Sequence, residues 1–279
     1  MEHVNFKLSG RSGCNLDLIA EHNSFIVRKY SKNSGYNQRL VLQAEKQKGF
    51  REFGIFRAPD IIQIINDELV YFDMKYVAGE KYSEYFGRIT KQELDGFISN
   101  IIDYLNNNIS NSEITIPDNT IFIKKVNSLQ QELGSGNAEV NNLLNKLIKN
   151  IPETPIPHGN CHGDLTFSNM IFSGGRIYLI DFLDSFFNSP MIDIVKLRQD
   201  TSFFWTLLID NELELFKRNK MRQIMGYIDT QLIKAFSSYS FFNPWYNYLQ
   251  SFNLLRILPY IKVQQERELV SKALKTIQL

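Results

Sequence analysis

The fold of this 279-residue chain is decided by the stretch His158-Gly-Asn-Cys-His-Gly-Asp-Leu-Thr-Phe-Ser-Asn169 and by its continuation, Ile180-Asp-Phe-Leu-Asp184. Between the two, Met170–Phe172 and Ile177–Ile180 are predicted to be strands, and Ser173-Gly-Gly-Arg176 is typical of the turn in a two-stranded ribbon. A ribbon returns the chain, so the second segment is expected close to the end of the first. The sequence therefore predicts a loop, a ribbon and a second loop with converging polar side chains.

Three of these side chains carry oxygen donors. Asp164 can orient an attacking hydroxyl and accept its proton, whereas Asn169 and Asp181 offer an amide oxygen and a carboxylate, which are hard ligands for Mg²⁺. These are the groups that phosphoryl transfer requires. The pattern therefore predicts a phosphoryl-transfer site.

The pattern H-G-D-x-x-x-x-N followed by I-D-x-x-D resembles the aminoglycoside phosphotransferase and choline kinase family, the small-molecule branch of the protein-kinase-like fold. The resemblance implies a two-lobed α+β protein. Its first lobe, residues 1–78, is a small antiparallel sheet that binds the nucleotide. Its second lobe, residues 79–279, is larger, mainly helical and carries catalysis and acceptor binding.

The same resemblance implies a role for each polar position. His162 shapes the catalytic loop, Asp164 is the catalytic base, and Asn169 and Asp181 bind the metal. Asp184 supports the metal site, either as a buttress or through a water on Mg²⁺. The structural aspartate that follows the metal loop in the family corresponds to Asp193.

Two other interpretations compete with this one. A single His-Gly-Asp is ordinary turn chemistry with the aspartate as a cap, but the joint spacing of the polar positions argues against a purely structural role. His158 and His162 with Asp164 are also a candidate transition-metal site of a hydrolase. The usual zinc pattern places both histidines on a helix, which Pro157 and Gly159 prevent here.

Near the start of the chain, Leu8–Asn15 is predicted to be a loop between two extended segments. Gly10 and Gly13 allow the backbone to approach phosphates closely, and Ser12 and Asn15 add polar groups. The loop resembles the phosphate cover of choline-kinase-like proteins more than a Walker loop. We expect it to bind the nucleotide.

The clearest strand of the first lobe is Ser24–Tyr30, which in this family supplies the cation for the α- and β-phosphates. Side chains alternate along a strand, so only one of Arg28 and Lys29 can face the nucleotide. The Val-Arg form resembles the strand of choline-kinase-like members. It favours Arg28, with Lys29 as the alternative.

A helix predicted over Asn37–Phe53, with a break near Gly49, corresponds to the family helix that carries an acidic partner for the strand cation. Glu45 is the candidate acid, and Gln43 lies equally well in register. If Gln43 occupies the position, the ion pair of the family is absent. Glu45 exposed to solvent is the other outcome.

The segment Phe72–Gly79 resembles the connector between the lobes. The backbone groups of Lys75 and Val77 are expected to meet the adenine edge of ATP, and Met74 is expected to guard the pocket. Backbone groups read a purine without special side chains, so residue types here carry little information.

Composition limits the function classes. With 43% hydrophobic residues, no apolar run near the ~20 residues of a membrane span and no apolar core in Met1–Gly10, the sequence predicts a soluble cytoplasmic protein. A formal net charge of +1 gives no electrostatic case for nucleic acid or an anionic membrane as partner. Cys14 and Cys161 have no paired spacing, which suits a reducing compartment. The oligomeric state is left open.

The function that follows is an ATP- and Mg²⁺-dependent kinase that phosphorylates a hydroxyl of a small molecule. From Ser185 to the end, 12 Lys and Arg stand against 8 Asp and Glu. This balance argues against a polycationic aminoglycoside and favours a neutral or anionic acceptor, such as a sugar or a sugar derivative.

The alternatives left open are an aminoglycoside kinase, a choline or amino-alcohol kinase and a catalytically weak, nucleotide-binding regulatory protein. Trp245 or Tyr246 could face a quaternary ammonium. The segment Ser237–Tyr248, which Pro244 interrupts, is predicted to be a loop that contacts the acceptor.

Overall fold

The computed structural model describes residues 5–8, 14–21, 24–133, 138–210, 213–258, 261 and 264–277. The chain forms two compact units. Unit 1 consists of Met1–Tyr85 with Ser168–Asp184, and unit 2 of Phe86–Phe167 with Ser185–Leu279. The boundary predicted at residue 78 separates a nucleotide-binding lobe from an acceptor-binding lobe. These roles are not tested by the division into two units, so the boundary stays a prediction.

Unit 1 contains a five-stranded antiparallel sheet of order β1-β2-β3-β6-β5 and one long helix, α1. The elements are β1 (Asn5–Leu8), β2 (Cys14–Glu21), β3 (Ser24–Ser31), α1 (Asn37–Lys48), β4 (Phe56–Arg57), β5 (Ile61–Ile65) and β6 (Tyr71–Lys75). Leu40 and Ala44, four apart on α1, form the core of this unit with Val27 and Phe72 of the sheet. The helix ends at Lys48 with Gly49 as its C-cap, which is where the sequence predicts a break.

The predicted ribbon is present as β9 (Met170–Ser173) and β10 (Arg176–Leu179) and belongs to unit 1. Gly174 and Gly175 have φ of 54° and 72°, as a two-residue hairpin turn with positive φ at both positions requires. β10 also pairs in parallel with β4, so the ribbon forms a second, three-stranded sheet of order β4-β10-β9 within unit 1. The chain therefore passes from unit 2 to unit 1 between Phe167 and Ser168.

Unit 2 is mainly helical. It contains α3 (Lys91–Ser110), β7 (Glu113–Thr115), α4 (Asn119–Leu133), α5 (Ala138–Lys149), β8 (Ile156–His158), α6 (Pro190–Phe203), α7 (Trp205–Ile209), α8 (Leu215–Phe236), α9 (Phe242–Ile257) and α10 (Gln264–Thr276), while α2 (Tyr82–Arg88) crosses the unit boundary. A capping box between Thr90 and Glu93 starts α3, and its apolar residues at spacings of three and four, such as Leu94, Phe97, Ile98 and Ile101, are buried. None of the helices described is both long and apolar enough to span a bilayer.

The segment expected to be a loop, Ser237–Tyr248, is mostly helical. Helix α9 begins at Phe242, and Pro244 lies in its first turn, where a backbone N–H has no intrahelical partner to lose. Proline therefore marks the start of a helix here and not a break. Only the short stretch before Phe242 is irregular.

Candidate active site

Lys29 is the strand cation that reaches the metal loop. Its side chain is buried, its Nζ donates to Gln43 Oε1 at 3.1 Å, and it forms an ion pair with the Asp181 carboxylate. Arg28 lies on the other face of β3 and donates to both carboxylate oxygens of Asp73, at 2.7 and 2.9 Å. Alternation along the strand therefore turns Lys29, the alternative to Arg28, towards Asp181, and the phosphate-binding role of either residue stays a prediction.

The pKa of Lys29 reflects two opposing effects. Burial favours the neutral amine and would lower the pKa, but the adjacent Asp181 carboxylate favours the ammonium, and the net pKa is raised. Lys29 therefore stays charged at neutral pH, as a phosphate-binding cation must.

The helix position that faces Lys29 holds Gln43, and Glu45 is exposed. Two residues along a helix correspond to about 200° of rotation, so both side chains cannot face the sheet. The lysine–glutamate ion pair expected from the family is therefore absent from α1. Lys29 takes its negative partner, Asp181, from the metal loop instead.

Asp184 is held by α1. Arg39 donates to both its carboxylate oxygens, at 2.9 and 3.2 Å, and Gln43 Nε2 donates to Oδ1 at 2.9 Å. Burial alone would raise the pKa of Asp184, but the hydrogen bonds from Arg39 and Gln43 lower it. Arg39 was not among the sequence candidates, although it lies one turn before Gln43 on the same face of the helix.

The ribbon brings Asn169 and Asp181 to the two ends of one hairpin. The backbone N–H of Ile180 donates to the Asn169 carbonyl at 3.0 Å. Asp181 has φ of 63°, in the left-handed region that non-glycine residues rarely adopt. Such backbone strain is common at functional sites.

The other residues predicted to bind the nucleotide lie near the start of the chain and in the connector. Gly10, Ser12 and Gly13 lie outside the described residues, whereas Asn15 lies in β2 opposite Tyr30. In the connector, the Lys75 N–H donates to the Asp60 carbonyl at 3.0 Å. Val77 follows β6 and has no hydrogen bond within the described part of the chain.

In unit 2, the loop that carries Asp164 is held by buried Asp193. Its Oδ2 accepts from the His162 N–H and its Oδ1 from the Gly163 N–H, each at 2.7 Å. His162 is buried, and its Nδ1 accepts from the Asp164 N–H at 3.2 Å. This geometry makes Asp193 and His162 supports of the loop and agrees with the roles that the resemblance implies.

Lys196 lies beside the candidate base, with its Nζ 3.0 Å from Asp164 Oδ1. Burial would raise the pKa of Asp164, but the positive charge and hydrogen bond of Lys196, with smaller effects from His162 and Arg256, lower it. Asp164 is therefore ionised at neutral pH and can accept a proton. The sequence candidates did not include Lys196, and its only signal is a position one turn after Asp193.

A third residue of α6, Asp200, completes the support. Its carboxylate accepts from the Phe167 N–H at 2.7 Å and the Thr206 N–H at 3.0 Å, and burial raises its pKa to about 6. Asp193, Lys196 and Asp200 recur at three and four residues, which places them on one face of the helix. That face fixes the backbone and the carboxylate of the Asp164 loop.

A buried lysine on the third strand of the sheet, an aspartate loop after a hairpin and the Asp164 loop held by a buried aspartate fit the pattern of a kinase-like small-molecule phosphotransferase. The family model described as "Phosphotransferase enzyme family" matches residues 8–223. The chain belongs to this family. The suspected family, the α+β fold and the expected enzyme class are thereby confirmed.

Solved structures with this fold cover nearly the whole chain. A "putative fructosamine-3-kinase" from Haemophilus somnus 129PT is 13% identical with a TM-score of 0.63, over 99% of this chain and 91% of that chain. A thermostable mutant of the aminoglycoside phosphotransferase APH(4)-Ia, in a ternary complex with AMP-PNP and hygromycin B, is 14% identical with a TM-score of 0.61, over 98% and 91%. The gentamicin complex of APH(2'')-IIa is 16% identical with a TM-score of 0.57, over 99% and 92%.

Among curated proteins, an uncharacterized protein of Metamycoplasma hominis is 25% identical over 213 residues. The match spans 68% of this chain and 40% of that relative's own length.

Proposed function

We propose that this enzyme transfers the γ-phosphoryl group of ATP, with Mg²⁺, to a hydroxyl of a sugar or sugar derivative in the cytoplasm. The observation that carries the proposal is the ionised carboxylate of Asp164, held by Asp193, His162 and Lys196. Its environment keeps the pKa low in spite of burial. A structural cap would need no buried lysine beside it.

The nucleotide is assigned to unit 1. Lys29 holds the α- and β-phosphates, and the Lys75 carbonyl and the Val77 backbone meet the adenine edge. Gln43 and Asp181 hold the ammonium of Lys29, so the cation is already oriented before the nucleotide binds. Gly10, Ser12, Gly13 and Asn15 are proposed to bind the phosphates.

Asn169 and Asp181 are proposed to hold Mg²⁺. Their donors are an amide oxygen and a carboxylate, the hard oxygens that this ion prefers, and Asp184 fixes the end of the same loop. The described residues contain no cluster of three or more His, Cys, Asp or Glu side chains, so phosphate oxygens and water would complete the coordination. The ion would neutralise charge on the phosphates during transfer.

The reaction balances without further reactants. The acceptor oxygen forms a bond to the γ-phosphorus, and the bond from that phosphorus to the β,γ-bridging oxygen breaks. The acceptor proton passes to Asp164, and ADP leaves with the electron pair of the broken bond.

A sugar-like acceptor is favoured over an amino alcohol by the state of the two aromatic rings that could bind choline. Trp245 is fully buried, and its Nε1 donates to the Thr154 carbonyl at 2.7 Å. The face of Tyr246 is covered by the Arg198 guanidinium at 4.0 Å. Neither ring offers an open face to a quaternary ammonium.

The test is transfer of label from γ-³²P-ATP to panels of sugars, sugar derivatives, amino alcohols and aminoglycosides. We expect Mg²⁺-dependent transfer to a sugar or derivative, reduced about 100-fold or more in Asp164→Asn with ATP affinity changed by less than about 10-fold. Glu153→Gln, at an exposed acid of unit 2, is the matched control and should behave as wild type. Normal turnover with lost ATP binding in Asp164→Asn would make Asp164 a nucleotide ligand.

A further inference from the structure

Two cations, Lys196 and Arg256, act on Asp164, and among the described residues neither is paired with any other carboxylate. Lys196 is 8% exposed, and within the described part of the chain Asp164 is its only acidic partner. The nearby acids Asp193 and Asp200 accept backbone N–H groups through their carboxylates. They are thus engaged in holding the loop.

A second cation, Arg256 of α9, acts on the same base. Its guanidinium lies 6.0 Å over the ring of Phe252. Asn253, one turn before Arg256, donates to Gln199, one turn after Lys196, so both cations lie within one turn of this contact between α9 and α6. The charge of Arg256 is one of those that lower the pKa of Asp164. Among the described residues no carboxylate lies within ion-pair distance of Arg256. Two cations therefore act on one ionised base.

In the same unit, the charge of Arg198 is fully paired with a carboxylate. Its guanidinium donates to both carboxylate oxygens of Asp229, at 2.9 and 3.0 Å, and stacks on Tyr246. Arg256 likewise lies over an aromatic ring, that of Phe252, but among the described residues it has no carboxylate partner. A partly buried guanidinium with free donors binds carboxylates and phosphates strongly, because its fork matches two oxygens.

We propose that the acceptor carries a carboxylate or phosphate beside its reacting hydroxyl, and that Lys196 and Arg256 bind this group; the inference rests on the phosphoryl transfer proposed above. Lys196 contacts both the base and the anion, which places the hydroxyl next to Asp164.

The first experiment uses a protein-free small-molecule extract of bacterial cells, separated on ion exchangers into cationic, neutral and anionic fractions. Each is incubated with γ-³²P-ATP and enzyme, and label transferred by Asp164→Asn is subtracted. We expect transfer chiefly in the anionic fraction. Transfer chiefly in the neutral or cationic fraction would overturn the inference and leave the proposed function standing.

The role of Arg256 is tested with the anionic fraction at limiting concentration. Arg256→Gln should lower the rate of transfer about 10- to 100-fold, since a charge-assisted hydrogen bond to the acceptor is lost. The KM for ATP should stay unchanged, and Arg256→Lys should recover part of the rate. Arg222→Gln, at an exposed arginine of α8, is the control. An Arg256→Gln variant with the wild-type rate would contradict the assignment.

A second measurement needs no acceptor. Modification of Arg256 by phenylglyoxal, followed by peptide mass spectrometry, should be slowed by inorganic phosphate in the wild type and not in Lys196→Met. No protection in the wild type would refute the anion site even where Asp164-dependent transfer is found. No such transfer in any fraction would instead contradict the proposed function, and phosphate protection would then decide the anion site by itself.

Discussion

Lys29 and Arg28 are adjacent in the sequence and have opposite surroundings. Lys29 contacts Gln43 and Asp181, and Arg28 contacts Asp73. The residue scale is therefore where the sequence was least informative, because a strand of alternating side chains has two faces and its residue types did not show which one meets the metal loop.

This difference is testable. Lys29→Met should reduce kcat/KM for ATP by about 100-fold or more, because the cation that holds the phosphates is lost. Arg28→Met should change kcat/KM for ATP by less than about threefold and lower the free energy of unfolding, because it leaves buried Asp73 without its guanidinium. Steady-state kinetics and urea denaturation of both variants are the measurements. The reverse kinetic pattern would return the role to Arg28.

Lys196 sets the ionisation of Asp164. Removing its charge in Lys196→Met leaves burial less opposed, so the pKa of Asp164 should rise and the acid limb of the pH profile of kcat/KM should move to higher pH. Lys234→Met, at an exposed lysine of α8, should leave the limb in place. If the acid limb of the pH profile stays in place in Lys196→Met, the limb reports the ionisation of a group other than Asp164.

At the scale of elements, one helix in each unit holds a loop of its own unit. In α1, Arg39, Gln43 and Lys46 contact the segment Leu183–Asp184 from one face. In α6, one face supports the Asp164 loop. In both cases a helix binds a loop through side chains one turn apart, a spacing that a sequence shows only after the helix boundaries are known.

Asp193 is expected to stabilise the fold through its loop. Asp193→Ala leaves the buried N–H groups of His162 and Gly163 without acceptors, at about 1–3 kcal/mol each, and should lower the free energy of unfolding by several kcal/mol. Urea denaturation measures the loss. Asp193→Asn, which keeps one carbonyl oxygen, should lose less, and equal losses would assign the effect to charge.

Over the whole molecule, Asp200 makes stability depend on pH. Its pKa is about 6 in the folded chain against an ordinary value of 3.8, so between these values the folded state binds a proton that the unfolded state does not. Stability from this group is present at the lower pH and is lost as the pH rises through about 6, by roughly 3 kcal/mol in all.

The measurement is the free energy of unfolding at pH 4.5 and pH 7. The free energy of unfolding of the wild type minus that of Asp200→Asn should be larger at pH 4.5 than at pH 7, because only the wild type binds the additional proton when folded. The comparison cancels the other carboxyl groups. A difference that does not change with pH would show that Asp200 has an ordinary pKa when folded.

What the sequence determined by itself was the family, the fold class, the ribbon and the positions of Asp164, Asn169 and Asp181. These rest on local spacing: glycines where a turn needs positive φ, and polar residues at fixed distances along one stretch. Short-range geometry of this kind is encoded in neighbouring residues.

Only the tertiary structure decided which cation of β3 meets Asp181, that Gln43 replaces the acidic partner, and that Lys196 and Arg256 act on Asp164. The physical reason is that these contacts join residues far apart in the chain. Strand facing, helix rotation and packing between elements together set which side chains meet, and none of them can be read from a single segment.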